Sequence, residues 1–332
     1  AVGCPSEPAE PVLETRALLA PRAEVAICAP LDGDTFAADL RATACFPDGP
    51  AADLIPYDVR SPLWTDGALK RRWMTVPPGE VVGYSATGDW LFPQGSTLIK
   101  QFLAAPDVPI ETRFMVRDGD GWMFASYQHD GEEAPLLHTF DVADIALGEN
   151  TVRWYFPDAD GCRTCHTGGA LGPVAAQLDT DYDYAGEVRS QLDELARIGV
   201  FDVSAPTAAA PLPDPADDTE SLEDRARSWL HANCAHCHRP GGWTPPEMTM
   251  DLRFTTPLPS ARVCGEPVQF DQAPDAGAFR IAPGASSDSA IWGRITADGL
   301  DRMPPIGTTL LDPVSVQTVQ AWIDSLEGCP GD

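Results

Sequence analysis

Two pentapeptides of one pattern constrain this 332-residue chain more than any other feature: Cys162-Arg163-Thr164-Cys165-His166 and Cys234-Ala235-His236-Cys237-His238. Two thiols three positions apart can reach the two vinyl groups on one edge of a haem. The adjacent histidine then presents its imidazole to the iron. Each motif therefore predicts one covalently held haem, two haem c in all. Cys162, Cys165, Cys234 and Cys237 are the expected attachment sites, and His166 and His238 the expected proximal iron ligands. A thioredoxin-like site would need a βαβ context that the flanking sequence lacks, and a zinc site would need four ligands in a compact set. His236, inside the second motif, reads as an exposed bystander.

The second motif has a full local context. Ser221-Leu222-Glu223-Asp224 resembles a capping box. Leu222, Ala226, Trp229 and Leu230 then predict an amphipathic helix running into Cys234. Arg302-Met303-Pro304-Pro305 follows 65 residues after His238. The prolines disfavour a regular element there, and a loop methionine can offer its thioether to the iron, so Met303 is the expected distal ligand. Asp312 and Pro313 suit the start of a closing helix with Val316, Val319, Trp322, Ile323 and Leu326 on its apolar face. This order is similar to the class I cytochrome c fold.

The first motif has no such partner loop. Met115 and Met123 lie on predicted strands and read as core, while His129 and His138 sit in or beside a polar loop. The basic residues carry a further signal: of 22, only Lys70 and Lys100 are lysine. A lysine kept where arginine is preferred suggests chemistry that arginine cannot supply, namely a neutral amine with a lone pair. Lys70 adjoins Arg71 and Arg72 in a basic strip. Lys100 alternates with Leu98 and Phe102 on one strand face and is the candidate distal ligand of the first haem. An ion pair of Lys100 with Glu111 or a haem propionate, and an open distal position, stand beside that reading.

The strands and breakers predict an α+β multidomain chain. Residues 1–49 form an irregular arm rich in Pro and Ala, and residues 50–160 a β-rich, sandwich-like domain. Arg113–Arg117 and Trp122–Tyr127 flank the turn Asp118-Gly119-Asp120-Gly121. Residues 161–202 form the first haem-binding helical segment, with Val188, Leu192, Leu195 and Ile198 at helical spacing before Gly199. Asp179, Asp181 and Asp183 read as a solvated loop rather than a calcium site. A linker at 203–218 leads to residues 219–332, an expected all-α class I cytochrome c-like domain.

Fifty acidic residues against 22 basic ones give a formal charge of −28. Nucleic-acid binding is thereby disfavoured, since phosphate contacts need a basic face. The acidic residues are spread along the whole chain, which favours solubility over steering of one basic partner. No apolar run is long enough to cross a membrane. Five cysteines fall outside the motifs: Cys4, Cys28, Cys45, Cys264 and Cys329. Disulfides are expected in an exported chain, and an odd count leaves one over. Cys28 with Cys45 and Cys264 with Cys329 are two of many possible pairings. Ala1 precedes Cys4, so a disulfide is expected there rather than a lipid.

Several segments together resemble a group of bacterial diheme c-type cytochromes with a β-rich N-terminal part. They are Ser61-Pro62-Leu63-Trp64-Thr65-Asp66-Gly67-Ala68-Leu69-Lys70, Phe92–Lys100, Glu111-Thr112-Arg113, Gly121-Trp122, Leu171-Gly172-Pro173, Pro283-Gly284 with Ser289, and Met303-Pro304-Pro305. The resemblance spans roughly residues 55–328, and both lysines fall on lysine positions of the pattern. It implies two haems and electron transfer with redox partner proteins, in the periplasm or at the cell surface, and no assigned catalytic residue. A peroxidase-like diheme enzyme with an open first haem is the alternative. Such enzymes are mainly helical, and a longer interval is expected between their motifs than the 72 residues from Cys162 to Cys234. A subunit of a larger redox assembly is a third possibility.

Overall fold

A short ribbon of β1 (Leu31–Asp32) with β2 (Thr35–Phe36) precedes the main sheet. That sheet is an antiparallel meander of five strands in sequence order: β3 (Ile55–Pro56), β4 (Leu69–Thr75), β5 (Thr97–Ala105), β6 (Val108–Asp118) and β7 (Gly121–Gln128). The computed structural model describes residues 22–184, 186–269 and 277–329; Cys4 lies outside them. The turn expected between β6 and β7 is present, with Asp118 opposite Gly121. Side chains alternate between faces along each strand, so the register defines two surfaces. Trp73, Ile99, Phe114 and Ala125 form a row on one, and Met74, Leu98, Met115 and Phe124 form a row on the other.

The first surface is covered by the N-terminal arm. Cys28, Leu40, Cys45 and Phe46 pack onto Trp73, Ile99, Phe114 and Tyr127. The Cys28–Cys45 disulfide therefore sits in a core rather than on a loose tail. Each large apolar side chain so buried contributes roughly 1.5–3 kcal/mol relative to exposure.

The second surface carries the first motif. A hairpin of β8 (Asp141–Leu147) and β9 (Asn150–Phe156) covers its Phe102 end, and Trp154 meets Phe102 edge to face. Helix α1 (Ala159–Cys165) follows, capped by Asp158, which accepts from the Gly161 N–H at 2.9 Å. Next come α2 (Ala175–Leu178), a hairpin of β10 (Asp181–Tyr184) with β11 (Glu187–Ser190), and α3 (Gln191–Arg197). Cys162, Leu178, Leu192, Leu195 and Val200 are buried against the Met74–Phe124 row. The helix expected through Val188 starts only at Gln191. Val188 is 64% exposed on β11, because the Tyr-rich Asp181–Tyr184 segment pairs as a strand and takes the acidic run out of the loop class. Gly199 does end the helical stretch, at φ +76°.

Two expectations of fold class are overturned. The β-rich part is not sandwich-like: one meander and separate two-stranded ribbons take the place of two packed sheets. Nor is there an all-α class I cytochrome c-like domain in residues 219–332. Among the described residues the chain has six α-helices and more strand than helix, 26% against 21%. Its last part holds only α4 (Leu222–Cys234), α5 (Ala290–Thr296) and α6 (Pro313–Ser325). Long irregular chain with isolated bridges such as Cys264–Ile281 joins them. The caps were read correctly, since Ser221 accepts from Asp224 N–H and Asp312 from Ser315 N–H. Helical periodicity reports each helix; it does not report what fills the chain between. Trp229, Leu230, Val319, Trp322 and Ile323 make the local core, and Cys264–Cys329 ties its edge. No helix among the described residues is long and apolar enough to cross a membrane.

The segment Arg60–Asp66 joins these parts. Ser61 exchanges hydrogen bonds with the Gln177 side chain, its N–H donating at 2.8 Å and its carbonyl accepting at 2.9 Å. The Ser61 hydroxyl donates to Ser228 O, and Trp64 N–H to Asn233 Oδ1 at 2.7 Å. Asp66, 5% exposed, accepts from Thr308 Oγ1, Thr309 N and Leu310 N, each at 2.7 Å, and from Thr309 Oγ1 at 3.1 Å. Replacing this carboxylate strands several buried donors, so Asp66→Ala should cost about 3 kcal/mol or more. Guanidinium unfolding checks this: the midpoint should fall with the slope unchanged.

Candidate functional site

Both motifs share one backbone device. In each, the histidine N–H returns to the carbonyl of the first cysteine, His166 to Cys162 at 3.1 Å and His238 to Cys234 at 2.9 Å. Each turn thus ends a helix, α1 or α4, and holds two thiols and an imidazole on one short arc. Among the described residues these four cysteines are the unbridged ones. Burial pushes Cys162 up to about 11 and Cys234 to about 12, so both remain neutral thiols.

The imidazoles are buried as well, which lowers both His166 and His238 to about 4 and leaves each ring neutral at neutral pH. His166 Nδ1–H donates to the Gly169 carbonyl at 2.9 Å, which fixes the tautomer and leaves Nε2 with its lone pair. Phe124 lies 5.5 Å from that ring. His238 Nδ1 is buried without a hydrogen-bond partner among the described residues, a costly state for an imidazole nitrogen. Paired cysteines beside neutral imidazoles are the donor set that haem attachment and iron ligation require, so the residues present fit the group expected from sequence. No group of three or more His, Cys, Asp or Glu among the described residues is arranged to hold a free metal ion.

The two motifs meet. The Cys237 thiol hydrogen-bonds to Cys165, which lowers Cys165 and raises Cys237. His236 also hydrogen-bonds to Cys165 and is half-buried, which corrects its reading as an exposed bystander. Nothing in either motif's local sequence signals this contact.

Lys100 stands on the sheet surface that carries the first motif. Its row reads Arg72, Lys100, Arg113, Ser126, one step along from Met74, Leu98, Met115 and Phe124. Burial, and then repulsion from Arg72, Lys70 and Arg113, hold its ammonium well below the ordinary lysine value. Its charge in turn helps to lower His166, which places the two groups within electrostatic reach. Of the ion pairs weighed for Lys100, the one with Glu111 is not formed among the described residues. Glu111, fully buried, is held by Arg113 Nε at 2.7 Å and Nη2 at 2.8 Å, and by Trp154 Nε1 at 3.0 Å. Arg72 pairs with Asp58. Among the described residues, the contact of the Lys100 ammonium is the Phe102 ring, 4.8 Å from its nitrogen. Strand alternation could have placed Arg113 and Arg72 in this row, but the sequence reading stopped at the lysine.

Met303 lies near the second motif. Its N–H donates to Arg294 O at 2.8 Å, and the Arg294 charge contributes to lowering His238. Met303 shares a cavity with Trp229 and Asn233 of α4, Ile295 of α5 and Val316 of α6. His129 is placed elsewhere. It hydrogen-bonds to Thr112 Oγ1 at 2.9 Å, on the surface opposite Lys100, while His138 is exposed. Comparison with known proteins returns no matching family model, no matching curated protein and no matching solved structure.

His129 gives a pH-dependent test of this placement. Burial lowers it from 6.5 to about 4. Between those values the unfolded chain binds the proton and the folded one does not, so stability falls as pH drops from 6.5 to 4, by at most about 3 kcal/mol. His129→Gln should flatten that decline in unfolding midpoints measured across pH 4.5–7. It should leave the visible spectrum unchanged.

Proposed function

We propose that this chain is a diheme c-type cytochrome of the bacterial group it resembles, and that it transfers electrons outside the cytoplasm. The observation that carries this reading is the pair of turns at Cys162–His166 and Cys234–His238 that share one backbone hydrogen bond, with four cysteines unbridged among the described residues and two neutral imidazoles. Two disulfides support an oxidising compartment. Each thiol would add across a haem vinyl group, sulfur to one carbon and hydrogen to the other. Haem supplies an iron that changes charge by one electron.

The chain's own residues set that change. His166 and His238 would each offer an imidazole lone pair to the iron, and the Gly169 carbonyl orients His166. Met303 would offer a thioether at the second site, a donor that favours the reduced iron and raises its potential. Lys100 would offer a neutral amine at the first. Its buried position between Arg72 and Arg113 favours the uncharged form, and Glu111 is already taken.

The direct test is intact mass, which should exceed the polypeptide by two haems. Cys234→Ala with Cys237→Ala should remove one of them. A single haem in the parent chain would sink the reading.

The ligands are separable by spectrum. Met303→Ala should abolish the weak near-infrared band of Met–iron bonding and lower the potential of one haem only. Lys100→Arg keeps the charge but cannot readily ligate, so the first haem should turn high-spin and bind cyanide or carbon monoxide. An unchanged low-spin signal would instead leave Lys100 as a counter-charge, and cyanide binding by the unmodified first haem would favour the enzyme alternative.

A further inference from the structure

The first and second motifs lie 72 residues apart in sequence and touch in space. Cys165 and Cys237, the second cysteine of each motif, lie within reach of one another. The residues just beyond are equally close. A Cβ on Gly168 would sit 2.7 Å from Arg239 Nη2, so the guanidinium after the second motif lies directly against the turn after the first.

This approach is built, not incidental. Ser61 bonds Gln177 of α2 on one side and Ser228 of α4 on the other. Trp64 N–H and the Pro62 carbonyl engage the Asn233 side chain, one residue before Cys234. A single short segment therefore sets the spacing of both turns, using buried groups whose loss is costly.

From this geometry we propose that Cys165 and Cys237 form the electron crossing between the two haems. The inference rests on the diheme reading and goes beyond it. A thioether sulfur is one bond from the edge of its haem, so neighbouring sulfurs make neighbouring edges. One electron leaves one iron, which is oxidised, and reduces the other; no proton or leaving group moves. The crossing needs no bridging aromatic residue, and the two haems act as one coupled pair rather than as independent carriers.

Coupling of this kind is read without any assay of activity. The fully loaded chain is compared with two single-haem variants, Cys162→Ala with Cys165→Ala and Cys234→Ala with Cys237→Ala. Visible circular dichroism of the parent should show a two-signed band in the main haem absorption that the sum of the variants lacks. Where a variant fails to mature, the parent serves alone. Its oxidised EPR signals should be broadened by the neighbouring paramagnetic iron and should sharpen once that neighbour is reduced. A parent that carries two haems by mass but shows additive dichroism, or an EPR line shape indifferent to partial reduction, overturns the crossing and leaves the diheme reading intact. A mass short of two haems overturns both.

Discussion

The segment Arg60–Gly67 is the constraint on which the arrangement of this chain depends. It belongs to neither apolar core that it joins. Its contacts are polar: Ser61 to Gln177 and Ser228, Trp64 to Asn233, and Asp66 to the 308–310 backbone and hydroxyls. Hydrophobic burial is non-directional and would tolerate some sliding of one unit on another. Buried hydrogen bonds do not tolerate it, because a displaced donor loses its partner without regaining water. The Asp66 backbone, at φ +53°, and the following Gly67, at +81°, turn the chain so that one carboxylate faces the 308–310 stretch. That stretch lies just past Met303, so the residues that place the first motif against the second also anchor the loop carrying the proposed distal ligand.

The sheet makes a second division of labour. Because side chains alternate, one surface of the meander is an apolar floor under the arm and its disulfide. The other changes character along its length. It is apolar beneath the first motif and then carries three cations in register, Arg72, Lys100 and Arg113. In a chain of charge −28 such a file is unexpected on composition alone. Two of the three have carboxylate partners, and the third does not. Repulsion within the row and burial act on the same group in the same direction, so the lysine is the member whose proton is most easily given up.

How much of this was legible in the sequence follows from the range of each interaction. Local devices were readable: the β6–β7 turn and the Ser221 and Asp312 caps, each matching a short-range signal. The two disulfides that form are pairings the sequence offered only among many. The helix expected from Val188 starts only at Gln191, because Val188 fits the helical period of Leu192 and Leu195 while strand pairing decides its place on β11, and the acidic run expected as a loop pairs as β10. The all-α domain failed for a related reason. Helix signals at both ends of residues 219–332 were real, but the irregular chain between them has no period to read. Contacts across long separations left no trace at all. Asp66 lies within a segment that shaped the family resemblance, yet its partners are more than 240 residues away, and nothing around Cys165 points to Cys237.

The last part of the chain shows why covalent chemistry matters to this fold. Its core is small, centred on Trp229, Leu230, Val319, Trp322 and Ile323, and much of its backbone is neither helix nor strand. Such a region buries little apolar surface against the entropy of ordering irregular chain, a balance that small cores commonly meet with disulfides or bound metals. Cys264–Cys329 closes a span of 65 residues, which in a chain-entropy account is worth about 4 kcal/mol. The buried polar atoms left without partners here, His238 Nδ1, Trp292 Nε1, Arg302 Nε and Trp322 Nε1, lie among the same elements. A group bonded to Cys234 and Cys237 and ligated by His238 would both fix this loop-rich chain and give its core the apolar bulk that its own side chains supply sparingly. On the diheme reading proposed above, such a group would be a structural element of the C-terminal part as much as a redox centre.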